Sequence, residues 1–315
     1  MSTATSSERG QAPASPLQLS RREWVDVLKR AGRQFLADDC MGLAQQVAFS
    51  SLLAFLPTVI LLIGLLGLFG SGAFDSLERF VGSVAPHGVT DMIALAKKDA
   101  AQNKGGSAIA FVVGTFGAVW AASGAMGAVL KAVNRAYDRI ETRPFWKVRL
   151  IAIVLVVATG LATTGVFLLI VFGGSLGDAL VSRTGLGGGF KLFWNIARWP
   201  IAFAAVLLFF SLVYYLAPNL EQRNWRWVSP GSLVGSVMWL VLSGLFAVYT
   251  SFSGSYDKTY GSIAGAIILL LWLDYSAWAI LFGAELNAEL DRQADIHAAG
   301  GPTAGLVKPA RRGAT

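Results

Sequence analysis

Cysteine and histidine are nearly absent from this 315-residue chain. Cys40 is the only cysteine, and the two histidines, His87 and His297, stand about 200 residues apart. One cysteine excludes an intrachain disulfide and a cysteine-based metal cage, and two isolated histidines without an acidic cluster do not make a convincing metal site. A phosphate-binding loop, a dinucleotide-binding fingerprint and a nucleophile elbow are also missing. We therefore expect no catalytic residues, no cofactor and no metal, and we predict that the protein is not an enzyme.

Charged residues are scarce as well, at 14% of the chain, against about 25% in soluble domains. Hydrophobic residues make up 54% of the chain and gather in six long stretches. Each stretch reaches the roughly 20 residues that a helix needs to cross a bilayer, and runs of this length in lipid must be helical. The predicted fold is an all-α integral membrane protein, a bundle of six transmembrane helices. The predicted spans are residues 47–70, 107–130, 148–174, 197–216, 231–252 and 263–286.

The net charge of +7 is unevenly distributed among the segments that join the spans. Alternate segments, including both termini and counting Arg149 just inside the third span, hold 18 of the 26 lysines and arginines; the other segments, counting Arg198 just inside the fourth span, hold 8. Because cytoplasmic segments carry the excess of positive charge, both termini are predicted to be cytoplasmic. The same charges attract anionic headgroups, so membrane lipids are the expected partners and nucleic acid is not.

The chain divides into one membrane domain and two tails. Residues 1–19 are rich in Ser, Ala and Pro and lack the apolar core of a signal peptide, so they are predicted to form a disordered cytoplasmic tail. Residues 20–292 form the predicted six-span domain. Residues 293–315 are predicted to be a second cytoplasmic tail, mostly disordered.

An amphipathic helix is predicted over Ser20–Ala37, with Trp24, Leu28, Ala31 and Phe35 on one face and basic residues on the other. A basic amphipathic helix beside a membrane usually lies in the interface plane, so we predict an N-terminal interfacial helix. Packing against the cytoplasmic ends of the bundle is the alternative.

Proline and glycine mark where helices should bend, begin, stop or pack. Pro57 predicts a kink in the first span, because it has no amide hydrogen for the carbonyl of Leu53. Ser229 and Pro230 predict a helix start, and the glycine-rich segment Ser175–Asn195 predicts a flexible loop. Glycines four residues apart, which let helices approach closely, open the fifth and sixth spans: Gly231 with Gly235, and Gly261 with Gly265.

Asp274 is the most unusual single residue, because it lies at the centre of the sixth span. A charge there costs roughly 2.5–3.5 kcal/mol on insertion scales. One interpretation is a proton- or cation-sensitive site in a transport path. The alternative is a structural acid that is hydrogen-bonded to a neighbouring helix.

Other polar residues gather at the ends of the spans. On the predicted cytoplasmic side they form either a polar vestibule for a ligand or an interfacial belt of ion pairs. Tyr256 and Tyr260 lie around a short outer loop, where aromatic residues ordinarily anchor a protein at the interface; both also count as ligand candidates. The cytoplasmic candidates are Asp38, Asp39, Asn134, Glu285 and Asn287.

Three blocks of sequence resemble the YihY/BrkB family. The first is Asp38–Pro57, with an acid, Leu-Ala, Ala-Phe, Leu-Leu and the proline. The second is Trp120–Ser123 followed by Leu130, Asn134 and Tyr137. The third, from Tyr215 to Ala288, contains these family positions: Pro218, Trp227, Gly231, Trp239, Tyr249, Tyr256, Tyr260, Gly261, Trp272 and the run Gly283-Ala-Glu-Leu-Asn-Ala288.

The resemblance implies a six-span, multi-pass protein of the bacterial plasma (inner) membrane. The family has carried the labels ribonuclease BN and virulence-associated factor, and the first is regarded as a misassignment. Glu285 and Asn287 match the family pattern, whereas the family more often has an aromatic residue where Asp274 stands. We predict a transporter-like or lipid-handling protein for an unidentified small molecule or lipid.

A non-transporting membrane scaffold for an envelope-biogenesis partner is the alternative, and a membrane-bound ribonuclease is the remote one. The partner of a scaffold would be an envelope protein or further copies of this chain.

Overall fold

The computed structural model describes residues 20–69, 104–184, 188–220, 228–252 and 263–298. All regular structure in these residues is α-helical, as the sequence predicts. The described helices are α1 (Arg21–Ala37), α2 (Cys40–Phe69), α3 (Lys104–Ala136), α4 (Phe145–Thr184), α5 (Gly188–Leu216), α6 (Pro230–Phe252) and α7 (Ile263–Ala298).

Five of the helices contain a stretch that is long and apolar enough to cross a membrane. In α2 the apolar stretch found among the described residues is the shorter Cys40–Phe55, although the helix itself has 30 residues. The protein is therefore a multi-span membrane protein, and a sixth span through α2 stays a prediction. The five stretches are Val112–Ala136, Phe145–Val166, Leu192–Leu216, Pro230–Thr250 and Gly265–Ala294.

Local sequence accounts for the helix starts. Ser20 and Glu23 form a reciprocal cap: the amide of Ser20 donates to Glu23 Oε2 at 2.7 Å, and the amide of Glu23 donates to Ser20 Oγ at 3.3 Å. The predicted start at Ser229 and Pro230 is confirmed, because α6 begins at Pro230 and the amide of Ser232 donates to Ser229 Oγ at 3.0 Å.

The helices pack around a core near one end of the bundle. α2 lies along α3, α7 packs on α2 and α6, and α4 lies between α3 and α5. The core includes Val133, Val213 and Leu281, which come from three different helices. We call this the polar end of the bundle, because α1 joins α2, α3 joins α4, α5 ends and α6 begins beside the buried carboxylates and amides described below.

α1 packs on α7 and α2. Its buried row is Val27, Ala31 and Phe35, so the predicted packed face is rotated: Leu28, placed on that face from the sequence, is 40% exposed. The inner face of α1 therefore packs against the end of the bundle, which is the second alternative predicted for this helix.

The predicted flexible loop Ser175–Asn195 is wrong over most of its length. α4 continues to Thr184 and α5 begins at Gly188, so only residues 185–187 lie outside the described helices. Glycine in a helix costs about 1 kcal/mol, but a continued helix satisfies backbone groups that lipid would leave without partners. At the other end of the domain, α7 runs to Ala298, six residues past the predicted boundary at 292.

Candidate functional site

Asn134 joins three segments at the polar end. Its Nδ2 donates to Glu141 Oε2 at 2.8 Å, and its Oδ1 accepts from the backbone amide of Asn219 at 2.7 Å. Asn219 Nδ2 in turn donates to the carbonyl of Ile140 at 2.9 Å and to Thr142 Oγ1 at 2.8 Å. The amide of this buried asparagine therefore connects the end of α3, the α3–α4 connection and the segment after α5.

Arg143 reinforces the same junction. Its guanidinium donates to Glu141 at 2.5 and 2.7 Å and to the last carbonyls of α5, those of Leu216 at 3.1 Å and Ala217 at 2.8 Å. Carbonyls at a helix C-terminus have no partner within the helix, so a cation there is favourable. The hydrogen bonds from Arg143, followed by that from Asn134, hold the pKa of Glu141 below its ordinary value.

Asn287 fastens α7 to the start of α6. Its Oδ1 accepts from the amide of Gly231 at 2.9 Å, and its Nδ2 donates to Ser229 Oγ at 3.0 Å. An ideal Cβ on Gly231 would lie 2.1 Å from the carbonyl oxygen of Gly283, and one on Gly283 would lie 2.2 Å from Tyr214 Oη. Tyr214 Oη donates to the carbonyl of Ile280 at 2.8 Å. α5, α6 and α7 therefore meet at backbone distance.

The acidic candidates at this end are engaged in structural contacts. Glu285, 1% exposed, accepts from Cys40 Sγ at 3.5 Å. Asp38 is buried and pairs with Arg135 at 3.6 Å. Asp39 has φ 53° and its Oδ1 accepts from the amide of Gly42 at 3.3 Å, which caps the first turn of α2.

The remaining sequence candidates lie elsewhere. Asp274 is half-buried in α7, about three turns from Glu285, and its Oδ1 has no hydrogen-bond partner among the described residues. A Cβ on Gly235 would lie 2.9 Å from Phe210 and Tyr214, whereas one on Gly265 would meet no described atom within 4 Å. Pro57 lies inside α2. Three candidates fall outside the described residues: Tyr256, Tyr260 and Gly261.

A cleft of about 670 Å³ opens beside this junction. Its floor is one face of α3, and its walls are the α1–α2 connection, the α3–α4 connection and the start of α4. The lining residues are Asp38, Asp39, Leu43, Gly127, Leu130, Lys131, Asn134, Arg135, Arg139, Ile140, Glu141 and Val148.

Two cations of the cleft have no acidic partner in the described part of the chain. Asp38 pairs with Arg135 and Glu141 with Arg143, and Asp39 caps α2. Lys131 and Arg139 are both exposed, and no described carboxylate lies within 4.0 Å of either side-chain cation. The cleft therefore presents two available positive charges beside apolar side chains, which suits an anionic group attached to an apolar one.

Comparison with known proteins identifies the family of the chain. The profile of the family described as Virulence factor BrkB matches residues 31–305. The chain belongs to the virulence factor BrkB family. Among BrkB-family relatives, YfkH of Bacillus subtilis (strain 168), named as ribonuclease-like, is 30% identical over 269 residues, which cover 85% of this chain and 96% of YfkH.

A UPF0761 membrane protein of Stenotrophomonas maltophilia (strain K279a) is 25% identical over 296 residues, 90% of this chain and 63% of that protein. A further UPF0761 membrane protein, from Mannheimia succiniciproducens, is 38% identical over 90 residues, which cover 29% of this chain and 31% of that protein. No solved structure matches the chain. The BrkB-family match includes every residue that lines the cleft.

The sequence indicates several of the buried polar residues at this end and places Lys131 among the polar residues after the second span, but it does not show which cations lack an acidic partner. Basic residues beside a span are expected for topology alone, so nothing in the sequence separates Lys131 and Arg139 from Arg135 and Arg143. Only the folded chain shows that Arg135 pairs with Asp38 and Arg143 with Glu141, whereas Lys131 and Arg139 have no described acidic partner.

Proposed function

We propose that this protein is a lipid-handling, transporter-like protein of the bacterial inner membrane, with six spans and both termini in the cytoplasm. The observation that carries the proposal is the cleft at the polar end, where Lys131 and Arg139 lack acidic partners among the described residues and lie beside the apolar side chains of Leu43, Leu130, Ile140 and Val148. A lipid-handling protein needs such a polar recess that opens beside the acyl chains.

The most direct test is lipid movement in vesicles. The purified chain is reconstituted into phosphatidylethanolamine–phosphatidylglycerol liposomes that carry a trace of lipid with a fluorescent headgroup, and an impermeant reductant is added outside. Protein-free liposomes keep about half of the fluorescence, because the inner leaflet is protected. We expect the fraction kept to fall with increasing protein, and an unchanged fraction at one or more chains per vesicle would contradict the proposal.

A scaffold for an envelope protein is the second candidate, and one surface favours it. The outward face of α1 exposes Val25 and Leu36 beside Arg22 and Lys29. Stoichiometric co-purification of one envelope protein, abolished by changing Val25 and Leu36 to Ser, together with no lipid movement, would favour the scaffold.

We also infer that the chain is not an enzyme, although its relative YfkH carries a ribonuclease-like name. Purified protein incubated with RNA and Mg²⁺ should leave the RNA intact. Cleavage that disappears in both Asp38→Ala and Glu285→Ala, with the folded state retained, would contradict this inference.

A further inference from the structure

One face of α3 continues from the cleft along nearly the whole of its span, Val112–Ala136. At 100° per residue its members fall within an arc of about 80°. Three of them are large and widely exposed: Val113 at 65%, Phe116 at 75% and Trp120 at 67%. The complete face is Val113, Phe116, Trp120, Gly124, Gly127 and Lys131. It therefore starts in apolar surroundings and ends at an available cation of the cleft.

The glycines make this face a groove. A Cβ on Gly124 or on Gly127 would meet no described atom within 4 Å, so no described residue fills the space above either glycine. α3 packs against α2 on one side and α4 on the other, whereas the described parts of α2 and α4 do not pack closely on each other. We call this channel between α2 and α4 the α3 groove.

Trp120 is held as one wall of the groove. The guanidinium of Arg149 lies 3.9 Å from the centre of the Trp120 ring, and Arg149 Nη2 donates to the Trp120 carbonyl at 2.9 Å. Arg149 is therefore occupied by the indole and the backbone, while Lys131 and Arg139 stay available at the end of the groove.

Lys131 and Arg139 suit a phosphate group. An ammonium and a guanidinium together bind phosphate oxygens through charge-assisted hydrogen bonds, and Arg can do so through two parallel bonds. A soluble phosphate compound would use these two cations alone. A phospholipid would also use the apolar groove, because its acyl chain would cover Phe116, Trp120 and the open space above the glycines.

We propose that the α3 groove binds one phospholipid, with its phosphate on Lys131 and Arg139 and one acyl chain along Gly127, Gly124, Trp120 and Phe116. This assignment rests on the proposed lipid-handling function and names its ligand and its contacts. Asn134 and Arg143 act as positioning residues, because they hold the α3–α4 connection that carries Arg139.

The headgroup contacts are tested by native mass spectrometry of the full chain in detergent. Phosphatidylglycerol, diacylglycerol with the same chains, and inorganic phosphate are added in separate titrations. We expect one phosphatidylglycerol to stay bound and the double variant Lys131→Gln, Arg139→Gln to weaken that binding about tenfold or more, since charge-assisted hydrogen bonds are lost. Lys147→Gln is the matched control, an exposed cation of α4 that does not line the cleft, and should change binding less than about twofold.

The acyl-chain contacts are tested by filling the groove. Gly127→Leu should weaken phosphatidylglycerol binding about tenfold, because its side chain would occupy the space of the lipid chain. Gly160→Leu on α4 is the control, because a Cβ there also meets no described atom within 4 Å. Both variants should elute as monodisperse protein with unchanged melting temperature.

Each outcome decides the assignment. Retained binding in the double variant, equal loss with Lys147→Gln, or equal binding of diacylglycerol would overturn the headgroup contacts. Displacement of the lipid by inorganic phosphate at the same concentration would identify a free-anion site and overturn the lipid. If phosphatidylglycerol binds as expected but lipid does not move in vesicles, the proposed function is contradicted and the groove is not. If lipid moves in vesicles and the variants do not change that movement, the groove is contradicted and the proposed function is not.

Discussion

At the scale of single residues, the contact between α6 and α7 depends on Gly231. Its missing Cβ would lie 2.1 Å from the carbonyl oxygen of Gly283, which is backbone and has no side-chain freedom to move away. We expect Gly231→Ala to destabilise the protein by about 1–3 kcal/mol through overpacking. The measurement is the thermal melting of the purified protein in detergent. Gly244→Ala on the same helix, where a Cβ meets no described atom within 4 Å, should not lower the melting temperature, and equal melting of both variants would contradict this contact.

A second residue-scale prediction concerns acid. Arg143, then Asn134, lower the pKa of Glu141 below its ordinary 4.5, so the charged form of Glu141 stabilises the folded state. That stabilisation is present above about pH 4.5, the ordinary value, and is lost as the pH falls through the lower folded-state pKa. The melting temperatures of wild type and Glu141→Gln should therefore differ at pH 7 and converge in acid. A double-mutant cycle with Arg143→Gln isolates the pair; a coupling that stays constant from pH 7 to pH 3 would refute it.

At the scale of elements, α1 is attached to α7 by the ion pair of Arg30 with Glu289 beside an apolar row. Arg30 Nε lies 3.2 Å from Glu289 Oε2, and Arg30 Nη2 donates to Gln293 at 2.6 Å. Arg30→Ala should raise hydrogen exchange within Arg21–Ala37 several-fold, because the carboxylate of Glu289 loses a partner in a nearly buried position. Arg33→Ala, on the exposed side of α1, should leave exchange unchanged; similar exchange in the two variants would show that the apolar row alone holds the helix.

Helices and their starts can be predicted from local sequence, but the contacts between helices cannot. Long apolar runs predict the helical spans and Ser229 with Pro230 predicts the start of α6, because these signals are local; the loop predicted over Ser175–Asn195 is the exception. Arg30 with Glu289 is separated by 259 residues and Asn134 with Asn219 by 85, so no local signal pairs them. For the same reason the sequence leaves a polar vestibule and an ion-pair belt as alternatives. The folded chain has features of both, because the ion pairs of Asp38 with Arg135 and of Glu141 with Arg143 lie beside the cleft.

At the scale of the whole molecule, the number of spans determines which side of the membrane each terminus occupies. The five candidate spans among the described residues would by themselves leave the termini on opposite sides. If α2, which begins at Cys40 and ends at Phe69, crosses as well, the termini lie on the same side. The excess of basic residues in alternate segments predicts both termini on the same, cytoplasmic side. A fluorescent protein that matures only in the cytoplasm should therefore be bright when fused to either terminus of the full chain. Fused after Phe252, one span earlier, it should be dark, whereas a periplasmic phosphatase at that position should be active.

If the fluorescent protein were bright at the C-terminus and dark at the N-terminus, α2 would be excluded as the sixth span. The α1–α2 side of the cleft would then lie in a different compartment from Lys131.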